Sequence, residues 1–207
     1  IIKPSNWANT LLADLGVLPD LRLVQISSDI ESYLCAHMRG GKPRINYSLK
    51  LLNHLAQASV SINTAITEIE QMKLPVMANI FHLLALCLLV QEAEFDANKE
   101  QARIVLELNK KDLMRNPESA VNRAAKALGI AKPYDTQEAL QHTLRINAKM
   151  DKPASYSPTE EGLQNTWLKR EYRAELKAAY LWFEEQKAGT SPAYAHLITR
   201  GRHLLKR

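Results

Sequence analysis

Residues 76–90 are apolar almost without a break; only Asn79 and His82 interrupt them. Pro75 stands just ahead of the run. It suits the first turn of a helix, where its missing N–H would have no partner anyway. A helix that is apolar on every side must be enclosed on every side. About 15 residues of helix rise about 22 Å, short of the roughly 30 Å of a bilayer core. The run therefore reads as a buried central helix at about 75–94, with the rest of the chain wrapped around it.

Elsewhere the apolar positions recur at helical spacing. Ser5 caps a short helix that stops at Gly16. From Asp20, the positions Leu23, Ile26, Ile30, Tyr33 or Leu34, and His37 mark one helix face, and Gly40-Gly41 ends it. The stretch 21–26 alternates like a strand, but its spacing carries on into the helix. A basic linker, Lys42-Pro-Arg-Ile, leads to Asn46 as the cap of a long helix. Its stripe is Leu49, Leu52, Leu55, Ile62, Ile66, Ile69 and Met72, loosened near Ser59-Val-Ser61. Beyond the central helix, Asp96 or Asn98 opens a helix that turns Ala102, Val105 or Leu106, and Leu113 inward. Asn116-Pro117 caps the next helix, closed by Gly129, and Asp135 or Thr136 starts another through Met150.

The stretch 151–157 reads as a linker. Ser157-Pro-Thr-Glu160 is a capping box with proline at the first helical position, and it opens a long C-terminal helix at about 158–188. Ser191-Pro192 starts a final basic helix. The expected fold is all-α, an irregular multi-helix bundle of about eight or nine helices around the buried central one. The expected organisation is a helical core domain over 1–150, the linker 151–157, and a C-terminal helical pair over 158–207 packed on the core as part of one globular unit.

Composition adjusts this picture little. Seven glycines and the lack of Asn-Gly or Asp-Gly turns argue against strands. A net charge of +5 permits nucleic acid or acidic protein partners and compels neither. Cys35 and Cys87, far apart in apolar helical contexts, read as buried reduced thiols. No charged start followed by an apolar stretch marks a secretory signal, so the expected location is cytoplasmic, with no membrane span. A helix pair over 78–111 is similar to a tetratricopeptide unit, but one copy cannot make a solenoid.

Candidate chemistry is sparse. The six histidines are scattered, and neither His-Glu-x-x-His nor Cys-x-x-Cys occurs. No glycine-rich phosphate loop and no G-x-S-x-G is present. Glu138 and His142 read as an exposed pair one turn apart. His82 reads as a hydrogen-bonded core histidine, with Asn79 one turn away as its partner. The chain is read as a non-enzyme with no metal and no cofactor.

Residues 120–140 resemble a helix-turn-helix. Ala124 or Ala125, Gly129, Ile130 and Leu140 sit where such a motif needs small, turning and locking residues. Arg123, Lys126 and Lys132 would then contact phosphates. Tyr134 and Asp135 depart from the motif, because Asp135 suits the N-cap of a later helix.

The 158–188 helix is unusual in carrying two apolar stripes. One is Leu168, Tyr172, Leu176, Ala179 and Phe183. The other is Leu163, Trp167, Ala174, Ala178 and Leu181, with Lys169, Arg170, Arg173, Lys177 and Lys187 on one flank. A helix with one stripe needs only a core; a second stripe needs something more. Either the last helix covers it through Tyr194, Leu197, Ile198, Leu204 and Leu205, or it faces a partner helix.

The preferred expectation is a cytoplasmic adaptor or accessory subunit that holds a partner protein's amphipathic helix or tail. Bacterial secretion or conjugation machines use small chaperone-like proteins of this kind, and analogy alone sets that expectation. The partner-binding residues would be Leu163, Trp167, Arg170, Ala174, Lys177, Ala178 and Leu181. The alternative is a DNA-associated protein using Arg123, Lys126 and Lys132 together with Arg200, Arg202, Lys206 and Arg207 of the basic tail.

Overall fold

The computed structural model of the protein describes residues 12–18, 20–100, 102–130 and 158–189. Among the described residues the order of elements is α1 (Leu12–Gly16), β1 (Leu23–Ser27), α2 (Ile30–Arg39), α3 (Gly41–Ala58), α4 (Val60–Gln71), α5 (Val76–Asn98), β2 (Ile104–Asn109), α6 (Lys110–Arg115), α7 (Pro117–Leu128), α8 (Pro158–Glu171) and α9 (Arg173–Lys187). The described residues fall into two compact units. One is drawn from Ile1–Leu21, Ile30–Arg103 and Leu168–Arg207, the other from Arg22–Asp29 and Ile104–Trp167.

The first unit is built on α5. Helices α2, α3, α4 and α9 all pack against it. Phe81, Leu84, Ala85, Leu86 and Cys87 are fully buried, so neighbours meet every side of this part of the helix, as its nearly continuous apolar run requires. With 23 residues, α5 is long and apolar enough to cross a membrane by length and composition; 67% of its most apolar window is buried here. His82 sits within the core, its Nδ1 2.7 Å from the Ala78 carbonyl and its ring edge-on to Trp182. The expected pairing of His82 with Asn79 does not form; Asn79 Oδ1 is buried without a hydrogen-bond partner.

Local chemistry moves several boundaries. Gly40 alone separates α2 from α3, and the expected basic linker is in the first turns of α3. Gly41 takes φ +64°, a left-handed conformation that costs glycine nothing. Pro43 falls in the first turn, where no intrahelical bond is lost. The expected long helix over 46–72 breaks at Ser59, whose Oγ accepts from the Ile62 N–H at 3.4 Å and caps α4.

A second correction is larger: the fold is mostly helical but not all-α. In the second unit β1 and β2 pair in parallel, Val24 beside Leu106 and Ile26 beside Leu108. The expected helix through 102–113 read Ala102, Val105 or Leu106, and Leu113 as one face. Strand alternation explains the same residues better. Leu106 and Leu108 turn inward, whereas Val105 and Glu107 are exposed. The adjacent β-branched pair Ile104-Val105 favours that choice. Helix α7 packs on both strands and α6 on β2. Asn109 caps α6 through the Lys111 N–H at 2.8 Å, and Asn116 caps α7 through the Ser119 N–H at 3.1 Å. Lys111 lies 3.2 Å from Asp29, and Lys110 3.7 Å from Glu161.

The expected single helix over 158–188 is two helices, α8 and α9, parted at Tyr172. Tyr172 takes φ −110° and ψ 35°, off the helical values, and its ring packs against Phe81. The break falls at Tyr172 rather than at Gly162, which lies inside α8.

Candidate partner-binding site

Helix α9 is sided. Leu176, Ala179, Trp182, Phe183 and Gln186 are buried, and the helix lies along α5. Lys187 pins its last turn to Glu92 of α5 at 2.7 Å. The opposite side carries Ala174, Lys177, Ala178 and Leu181, all exposed. Leu181 is 55% exposed and Tyr180 45%. These large apolar groups stand on a helix whose core-facing side is already satisfied.

Beside that outward face runs a groove of about 310 Å³ between α2 and α9. Its apolar lining comes from Ile30 and Leu34 of α2 and from Leu176 and Tyr180 of α9. Its rim is basic, with Lys169 from the end of α8 and Arg173 and Lys177 from α9. Glu31 is the one acid in the lining, and it is ion-paired with Lys169. Arg173 and Lys177 have no carboxylate partner among the described residues. An apolar floor under two unneutralised cations suits an anionic amphiphilic ligand.

The residues expected to bind a partner are distributed as follows. Arg170, Ala174, Lys177, Ala178 and Leu181 belong to the first unit and are exposed. Ala174, Ala178 and Leu181 share the outward face of α9, and Lys177 also lines the groove. Leu163 and Trp167 belong to the second unit, on the portion of α8 assigned to it, at 68% and 53% exposure. The last helix that was the alternative cover for this stripe lies outside the described residues. Sequence reasoning missed Ile30, Leu34, Arg173, Leu176 and Tyr180 as groove residues. One signal was present. Lys169, Arg173 and Lys177 repeat a positive charge every four residues, a spacing at which like charges repel along a helix.

The residues of the DNA reading are only partly described. Arg123 and Lys126 are exposed on α7 and line a shallow depression with Asn116, Glu118, Ser119 and Asn122. Gly129 ends α7 in the left-handed region at φ +74°, as the turn of the motif requires. Lys132, Arg200, Arg202, Lys206 and Arg207 lie outside the described residues, as do Glu138 and His142.

Several buried polar groups of the first unit form a hydrogen-bonded network. His37 Nδ1 lies 3.0 Å from the Tyr33 carbonyl, which only accepts, so Nδ1 carries the proton. Nε2 then accepts from the Ser48 hydroxyl at 2.9 Å. Gln91 donates to the Tyr33 hydroxyl at 3.2 Å, and the Cys87 thiol faces the Ser48 carbonyl at 3.7 Å. Burial raises the Tyr33 phenol well above its ordinary value and pushes the Cys87 thiol from 9.0 up to about 12. A serine paired with an oriented histidine resembles a nucleophile and its base, but at 3% and 4% exposure this pair is closed to substrate. Among the described residues no three His, Cys, Asp or Glu side chains converge as metal ligands.

Comparison with protein-family models, with curated proteins and with solved structures gives no match.

Proposed function

We propose that the protein is a non-catalytic adaptor or accessory subunit that holds a segment of a protein partner against the outward side of α9. The observation that carries this reading is the second, unpacked side of that helix. Leu181 and Tyr180 stay about half exposed although α9 already buries a full apolar face against α5. Large apolar groups gathered at a surface are the usual anchors of protein association. The enclosure of the Ser48–His37 pair supports a binding role over a hydrolytic one. The packing of helices around α5 supports its role as a core rather than a span, and we read the adaptor as cytoplasmic. A multi-component assembly, such as a secretion or conjugation machine, is the setting in which such an adaptor would work.

A photo-crosslinking residue in place of Leu181 tests this reading. It should give a discrete protein adduct in lysate that survives nuclease, whereas the same residue at Asn53 on α3 should not. Absence of a protein adduct, or its loss with nuclease, counts against the adaptor.

The alternative, a DNA-associated protein, draws on Ser119, Asn122, Arg123 and Lys126, which share the exposed side of α7. Glu118 in the same depression opposes approach of a phosphate backbone, so this reading ranks second.

A further inference from the structure

We propose that the groove between α2 and α9 is the seat of an acidic amphipathic helix of the partner protein. This rests on the adaptor reading and gives the partner its chemistry. The charge pattern carries the inference. Lys169, Arg173 and Lys177 bring three cations to one rim, and repulsion between them opposes folding. Glu31 offsets only Lys169. Arg173 and Lys177, one helical turn apart within α9, line the same apolar groove and neither is paired with a carboxylate among the described residues. Cations beside an apolar trough suit a ligand that presents carboxylates alongside apolar side chains.

The dimensions favour a helix as that ligand. Arg173 to Tyr180 covers two turns of α9, about 10 Å. A helix laid alongside presents carboxylates at i and i+4 with the same pitch as Arg173 and Lys177, and apolar residues at i+3 and i+7 over Leu176 and Tyr180. A volume of about 310 Å³ accepts a few side chains. A small anionic amphiphile could fill that volume, but it would leave Leu181, on the crest beside the groove, as bare as before. A helix covers both.

The test uses the full chain and two fluorescein-labelled synthetic helices of about 18 residues, long enough to be helical once bound. Both carry leucine at i, i+3, i+4 and i+7; one has glutamate at the flanking positions, the other lysine. The glutamate peptide should raise the anisotropy saturably, bind about tenfold or more tightly than the lysine peptide, and weaken with added salt. The pair Arg173→Glu, Lys177→Glu should invert that preference. If circular dichroism shows that the reversal disturbs the fold, the neutral pair Arg173→Gln, Lys177→Gln should abolish the preference. Equal affinity for the two peptides overturns the proposal, as does a preference that survives these changes. Saturable binding of dodecanoate without peptide binding overturns it in favour of a small amphiphile. Self-association lost on charge reversal overturns it in favour of a second copy of the chain. The Leu181 crosslink separates the two readings. If its protein adduct persists undiminished in the charge-reversed protein, the groove proposal fails and the adaptor stands. If peptide selectivity holds but position 181 yields no protein adduct, the adaptor fails and the groove remains an acidic-helix site.

Discussion

Leu181 and Trp182 are neighbours in α9 on either side of its boundary with the core: Leu181 is 55% exposed and Trp182 8%. Trp182 lies between α9 and α5, edge-on to His82. Trp182→Ala should therefore cost about 3–5 kcal/mol, the range for truncating a buried aromatic. Leu181→Ala should change stability by less than about 0.5 kcal/mol, as surface substitutions do. Urea unfolding of both variants measures the contrast, and similar losses for the two would show that α9 presents a different face to the core.

The Ser48 hydroxyl and His37 Nε2 satisfy each other inside the first unit. Ser48→Ala should take from the buried imidazole its hydroxyl donor, at about 1–3 kcal/mol. Replacing both residues with apolar groups removes the buried acceptor as well as the donor. A double-mutant cycle should therefore show the pair costing less than the sum of the single changes. Strict additivity would mean that water reaches the imidazole.

Leu84 and Leu88 test the enclosure of α5. They are 0% and 5% exposed, with helices packed around them. Either residue changed to alanine should lower stability by about 2–5 kcal/mol through lost burial and a residual cavity. An unchanged thermal midpoint in both variants would remove α5 from the centre of the fold.

Cys87 predicts a loss of stability in alkali. Its thiol ionises near 9.0 when unfolded but, because burial penalises the thiolate, only near 12 when folded. Between those values the folded state holds a proton that the unfolded state has released, so stability falls as pH rises from 9 towards 12. The contribution is complete below pH 9. The urea midpoint followed from pH 8 to 11 should decline, and Cys87→Ala should decline less steeply. Tyr33, also raised by burial, adds to the fall at the upper end of that range. Thiol-specific labelling at pH 8 should not touch Cys87 until the protein unfolds.

The parts of the fold legible in the sequence are those fixed by local pattern. The apolar run from Val76, interrupted only at Asn79 and His82, reads as a buried helix and is one, and Asn116-Pro117 and Gly129 carry their capping roles in their own chemistry. The parts that were not legible depend on contacts remote in the chain. Leu23 and Ile26 fit a helix and a strand equally well until β2 arrives beside them. The break at Tyr172 falls inside a continuous helical pattern that gives no sign of it, and the ring contact with Phe81, far upstream, is not visible in the sequence. The groove was half visible for the same reason. The cations Arg173 and Lys177 stand in one segment, whereas Ile30 and Leu34, which turn them into the rim of a trough, come from another.

The parallel pairing of Leu23–Ser27 with Ile104–Asn109 predicts an order of events in time. All of α2, α3, α4 and α5 lie between the two strands in the chain. Closing so long a connection from a disordered chain costs about 4 kcal/mol in entropy before any ladder bond forms, more than a two-stranded ladder returns. The helices face no such toll, since their bonds are local and α2 meets α5 directly. Helices should therefore condense first and strands pair last. A substitution that loosens α5 will slow strand pairing even though it touches neither strand, and hydrogen exchange should find the amides of Val24 and Leu106 among the last to become protected during refolding.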